Sequence, residues 1–109
     1  MTPRTPSGEE ELVRLRKSID ELDRVLVKLL NQRAKYALEI GRAKGRTNLP
    51  VYSPAREREV LERVEEENRG PLSGEALRRL YERIIDESRR LEREAKEEDA
   101  PPDFPGGSE

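Results

Sequence analysis

The apolar positions of the first half of the chain repeat in alternating steps of three and four. From Leu12 the beat runs Leu15, Ile19, Leu22, Leu26, Leu29, then Arg33, Ala37, Ile40 and Lys44, the spacing of one face of an amphipathic helix. Ser7 with Glu10 three residues later has a capping-box pattern, which predicts the helix start, and Gly45 is placed to end it. Such a helix would be about 55 Å long. After the Gly- and Pro-bearing loop 45–52, Ser53 followed by Pro54 predicts a second helix to about Asn68. Arg69-Gly70-Pro71 breaks it, Ser73 caps a third, and Leu77, Leu80, Tyr81, Ile84, Ile85, Ser88, Leu91 and Ala95 mark the apolar face of that third helix. Residues 1–8 read as a flexible N terminus, 9–98 as one domain, and 99–109 as a disordered Pro/Gly-rich tail.

The fold class expected is therefore all-α, with one long and two shorter helices per chain. Two short helices cannot cover the whole stripe of a helix over 30 residues long, and with 32% hydrophobic residues the core is small. A second copy of the chain in an intertwined homodimeric helical bundle would cover the remainder. Periodicity alone leaves an ordinary antiparallel coiled-coil module equally open.

Two cations sit on the apolar stripe where Leu is expected, Arg33 and Lys44. Bringing such side chains into a helical interior costs several kcal/mol unless anions meet them. No acidic residue shares that part of the stripe, so a ligand is a candidate for the missing anion. The pair is about 20° apart around the helix axis and ~16 Å apart along it.

Composition narrows the chemistry. There is no His and no Cys, which excludes a His base, a Cys nucleophile, a Cys/His zinc site and a disulfide framework. The charged residues make up 42% of the chain with a net charge of −2, mixed rather than segregated, which gives no support to nucleic-acid binding. The start MTPRTPSGEE lacks a signal-peptide core, and no apolar run approaches the roughly 18 residues of a membrane span. A cytoplasmic protein without membrane contact is expected.

Three blocks carry a resemblance: LRKSIDELDRVLVKLLNQRAKYALEIGRAK (15–44), SPAREREVLERV (53–64) and GPLSGEALRRLYERIIDESRRLE (70–92). Together they resemble an all-helical chorismate mutase of the AroQ class. The resemblance implies the Claisen rearrangement of chorismate to prephenate, the branch step toward phenylalanine and tyrosine in the shikimate pathway. Such a pericyclic reaction uses no nucleophile, metal or cofactor. Catalysis then rests on holding a flexible dianion in its folded conformer and stabilising charge on the breaking ether oxygen.

By resemblance, Arg33 binds a substrate carboxylate, and Lys44 donates to the ether oxygen and touches a carboxylate. Arg16 matches another carboxylate-binding arginine, but 17 helical residues place it ~25 Å from Arg33 and turned away by about 100°; it serves the partner chain's site. Glu57 matches the residue that binds the substrate hydroxyl, Arg56 supports the carboxylate cluster, and Ser53 departs from an acidic residue common in relatives. Ser88 resembles a serine that meets a substrate carboxylate. Glu92 stands where relatives carry Gln or Glu as second donor to the ether oxygen. An ionised Glu92 accepts hydrogen bonds and repels the growing oxyanion, whereas a protonated one donates. Asp20 and Asp23 read as structural, and Tyr36, Tyr52 and Tyr81 as core-edge residues. Isochorismate-pyruvate lyase of the same fold, and a non-catalytic helical dimer acting as a regulatory module, stand as alternatives; a partner enzyme of the shikimate pathway is a further candidate.

Overall fold

The computed structural model describes Thr5 and residues 7–99. The described residues form three helices, α1 (Gly8–Thr47), α2 (Pro54–Glu67) and α3 (Gly74–Asp99), and no strand occurs among them. The all-helical expectation holds. Of the segments expected to be flexible, residues 1–4, 6 and 100–109 lie outside the described residues, whereas Gly8 opens α1 and Asp99 closes α3. No helix among the described residues is long and apolar enough to cross a membrane.

The chain divides into two compact units, Met1–Arg33 and Ala34–Glu109. In the first, Ser7 caps α1: its hydroxyl accepts from the Glu10 N–H at 3.1 Å and donates to the Glu10 carboxylate at 3.2 Å. Glu9, Glu10 and Glu11 fill the first turn, where the helix dipole favours negative charge. The apolar stripe is uncovered within the chain. Leu12 is 49% exposed, Ile19 55%, Leu22 67%, Leu26 52% and Leu29 55%.

In the second unit α2 and α3 enclose a small core of Val60, Leu61 and Ile85, with Val64 and Tyr81 packed against it. Each of these three buried side chains contributes about 1.5–3 kcal/mol relative to exposure. The α2–α3 connection is ordered by Asn68, whose side chain accepts from the Gly70 N–H at 3.0 Å and donates to the Leu72 carbonyl at 2.8 Å. Gly70 takes a left-handed φ of 73°, which a glycine adopts without steric cost. Ser73 caps α3 through its hydroxyl and the Ala76 N–H at 3.0 Å. Leu80, expected on the buried face, is 54% exposed because α2 covers the face of Tyr81 and Ile85.

The end of α1 departs from expectation. Gly45 does not stop the helix, which continues to Thr47. Asn48 instead takes the left-handed conformation at φ 57°, and the Leu49 N–H bonds to the Lys44 carbonyl at 3.0 Å, the closure of a Schellman motif. Gly45 and Gly41 serve close packing. A Cβ on Gly41 would lie 2.3 Å from the Glu92 carbonyl oxygen and 2.9 Å from the Ala95 Cβ; one on Gly45 would lie 2.9 Å from the Lys96 carbonyl oxygen. Ala37, Gly41 and Gly45 are the buried residues of α1, and Ala95 opposite them is fully buried.

Gly41→Ala is therefore expected to destabilise the fold by about 1–3 kcal/mol, because backbone rather than a flexible side chain must move. Gly8→Ala, where a Cβ meets nothing within 4 Å, is the control. Urea denaturation of both variants checks this; equal midpoints would show that α1 and α3 are not in close contact.

Candidate active site

The small residues on α1 bring its last turns against α3, and Lys44 lies on the same face as Gly41 and Gly45. Its ammonium donates to the Glu92 carboxylate of α3 at 2.7 Å and to the Val51 carbonyl of the α1–α2 loop at 2.9 Å. Both side chains are largely shielded, with 19% of Lys44 and 16% of Glu92 exposed. Lys96 donates to the Leu49 carbonyl at 2.6 Å and Arg46 pairs with Asp99 at 2.9 Å, which ties the loop and the end of α1 to α3.

No acid shares the α1 stripe with Lys44, which made a ligand the candidate anion. For Lys44 the chain supplies its own anion from another helix. Two of the three ammonium protons are engaged, which leaves one for a further acceptor.

Glu57 lies in the first turn of α2, where Pro54 starts the helix and the Ser53 carbonyl accepts from the Glu57 N–H at 3.0 Å. Ser53 occupies the N-cap position, half-buried and extended, but its side chain makes no cap bond. Arg56 is exposed and pairs with Glu59 within the same helix. Glu57 is half-buried and is gripped by Arg89 of α3, whose Nε and Nη2 donate to its two oxygens at 3.0 and 2.9 Å. The Arg89 guanidinium also lies 5.2 Å over the Tyr52 ring and 3.3 Å from Asp86. The hydrogen bonds to Glu57 raise the Arg89 pKa above the usual guanidinium value, against the opposing effect of burial. Glu57 and Arg89 line an open depression together with Leu61, Glu82, Ile85 and Asp86.

The structure thus joins Lys44 to Glu92 and places Ser88, half-buried, one turn before Glu92 on α3. Arg56 and Glu57 stand side by side on α2 with different partners. In the first unit, Arg16 is exposed and Arg33 half-buried. Arg89 is not among the candidate residues expected from the sequence. Its signal was present, since Arg89 follows the buried Ile85 by four residues, a cation at the next beat of an apolar face, like Arg33 and Lys44 on α1. Among the described residues no group of acidic side chains has the arrangement of a metal site.

Comparison with known proteins gives one answer. The chorismate mutase type II family profile matches residues 15–93. The bifunctional chorismate mutase/prephenate dehydratase of Aquifex aeolicus (strain VF5) is 43% identical over 91 residues, 80% of this chain and 25% of that protein. The protein of the same name from Neisseria gonorrhoeae (strain ATCC 700825 / FA 1090) is 40% identical over 85 residues, 78% of this chain and 23% of that protein. The chain spans about a quarter of the length of these curated relatives. A solved structure of chorismate mutase (form II) from Thermus thermophilus matches with a TM-score of 0.75 and 38% identity, over 76% of this chain and 94% of that one. With its profile match running through all three helices, the chain belongs to the chorismate mutase type II family.

Proposed function

We propose that the chain catalyses the Claisen rearrangement of chorismate to prephenate, as a cytoplasmic intertwined homodimer and without metal or cofactor. The observation that carries this reading is the shielded Lys44–Glu92 pair at 2.7 Å. In it an ammonium and a carboxyl group stand side by side, and the family match runs across both residues. As the ether C–O bond breaks, negative charge grows on its oxygen, and a fixed ammonium in a shielded site stabilises that charge more than bulk water does. Arg33 binds one substrate carboxylate, and Lys44 also touches a carboxylate. Ser88 and Arg56 serve the carboxylate cluster, Glu57 accepts from the substrate hydroxyl, and Ser53 contributes at the same end. Holding the dianion in its folded conformer removes much of the entropic part of the barrier.

The homodimer is supported by the uncovered stripe of residues 12–30, which exposes Leu and Ile at every turn. A second copy is the occupant whose own stripe has the matching length and spacing. In that dimer Arg16 serves the partner's site. The relatives that join a mutase to a prephenate dehydratase support a prephenate-consuming enzyme of the shikimate pathway as the partner downstream.

Three outcomes are expected. Incubation with chorismate, followed by NMR, yields prephenate, and Arg33→Ala lowers kcat/KM by at least about 100-fold, the scale of losing one charge-stabilising donor. Pyruvate from isochorismate alone, or an Arg33→Ala variant of full activity, would remove the mutase assignment. Glu92 holds the Lys44 ammonium through one oxygen, and an amide in its place can accept from Lys44 through its oxygen while donating to the ether oxygen through its NH2. Glu92→Gln should therefore keep activity, whereas Glu92→Ala should lower kcat/KM by at least about 100-fold; full activity of Glu92→Ala would contradict the role. Sedimentation equilibrium should give twice the chain mass for wild type and a lower mass for Leu22→Lys, and a monomeric wild type would exclude the shared site.

A further inference from the structure

Arg89 has no part in the mechanism above, yet it is the residue on which α2, α3 and the loop between α1 and α2 converge. Its fork meets both oxygens of Glu57, at 3.0 and 2.9 Å, and its guanidinium lies over the Tyr52 ring. The side chains of Arg89 and Glu57 are 27% and 25% exposed, so the pair is partly withdrawn from water. From this geometry we propose that Arg89 is a positioning residue, which fixes the plane of the Glu57 carboxylate for the substrate hydroxyl. The proposal rests on the mutase reading of Glu57.

The physical case has three parts. A glutamate in the first turn of a helix has free side-chain torsions, and a single hydrogen bond leaves the carboxylate able to swivel about it. Two parallel N–H···O bonds from one rigid guanidinium remove that rotation. A carboxylate offers roughly four lone-pair directions, of which the fork uses two, so acceptor capacity remains for a hydroxyl. The Tyr52 ring, with the carboxylate of Asp86 at 3.3 Å, holds the guanidinium in turn. Lysine carries the same charge but cannot form the fork.

The test is steady-state kinetics on chorismate for wild type, Arg89→Gln, Arg89→Lys, Glu57→Gln and the double variant Glu57→Gln/Arg89→Gln, each with its melting temperature. Orienting groups one step removed from the reacting atoms are typically worth about 10–100-fold. Arg89→Gln and Arg89→Lys should both lose that much kcat/KM, with lysine rescuing by no more than about twofold. In the Glu57→Gln background, Arg89→Gln should cost less than about threefold, since there is no carboxylate left to orient. Full activity of Arg89→Gln, recovery by lysine, or an equal loss in both backgrounds would each overturn the proposal. Should Arg89→Gln fail to fold, Arg89→Lys preserves the charge and decides the question by itself. A wild-type chain inactive on chorismate removes the mutase reading and this one with it; an active wild type with an active Arg89→Gln removes this one alone.

Discussion

The close approach of α1 and α3 is the constraint on which the second unit depends. It exists because Gly41 and Gly45 carry no side chain and Ala95 carries a single methyl group. Backbone-to-backbone packing of this kind tolerates little adjustment, since the atoms that would clash are carbonyls rather than flexible side-chain ends. Lys44 sits on the same face of α1, and Glu92 is the residue of α3 whose backbone faces Gly41. The 2.7 Å contact between ammonium and carboxylate is thus a by-product of the small residues beside it.

Charge does two different jobs in this chain. Pairs such as Arg83–Glu87 and Arg90–Glu94 lie one helical turn apart on exposed faces, where each is worth little against solvent and salt. Lys44–Glu92 and Arg89–Glu57 instead join different helices and are mostly shielded. Removing one member of such a pair leaves a desolvated charge without its partner, which is why these contacts specify geometry more than they add stability. No buried side-chain polar atom among the described residues lacks a hydrogen-bond partner, so the charges that enter the interior arrive already matched.

Much of this was legible in the sequence where the determinant was local. Ser7, Ser73 and the Ser53-Pro54 step mark helix starts because capping needs only the next few residues. Gly45 misled for a physical reason: glycine is favoured both at a helix end and where two backbones meet, and only the position of α3 separates the two. The actual terminator, Asn48, is a residue type that also enters the left-handed region readily. The cation on the apolar stripe of α1 singles out Lys44, but its counter-ion lies on a different helix. Glu92 is 48 residues away in sequence, and Arg89 is 32 from Glu57, so neither partnership has a helical period to reveal it. The charged residues of a site can be found from one element; their pairing requires the packing of several.

The same reasoning bears on the N-terminal stretch of α1. Its apolar stripe is as regular as the core of a bundle, yet Leu22, Leu26 and Leu29 are each more than half exposed in the single chain. A stripe of this length is poorly matched to water, and its removal from solvent is a strong drive to association. In the proposed dimer the surface that drives association also carries Arg16, so the hydrophobic side of α1 would set where a charge on its flank arrives in the other chain. Folding and assembly of the active site would then be one event. In that arrangement a cation too far along the helix to reach its own site would become useful because the apolar residues around it cannot be satisfied alone.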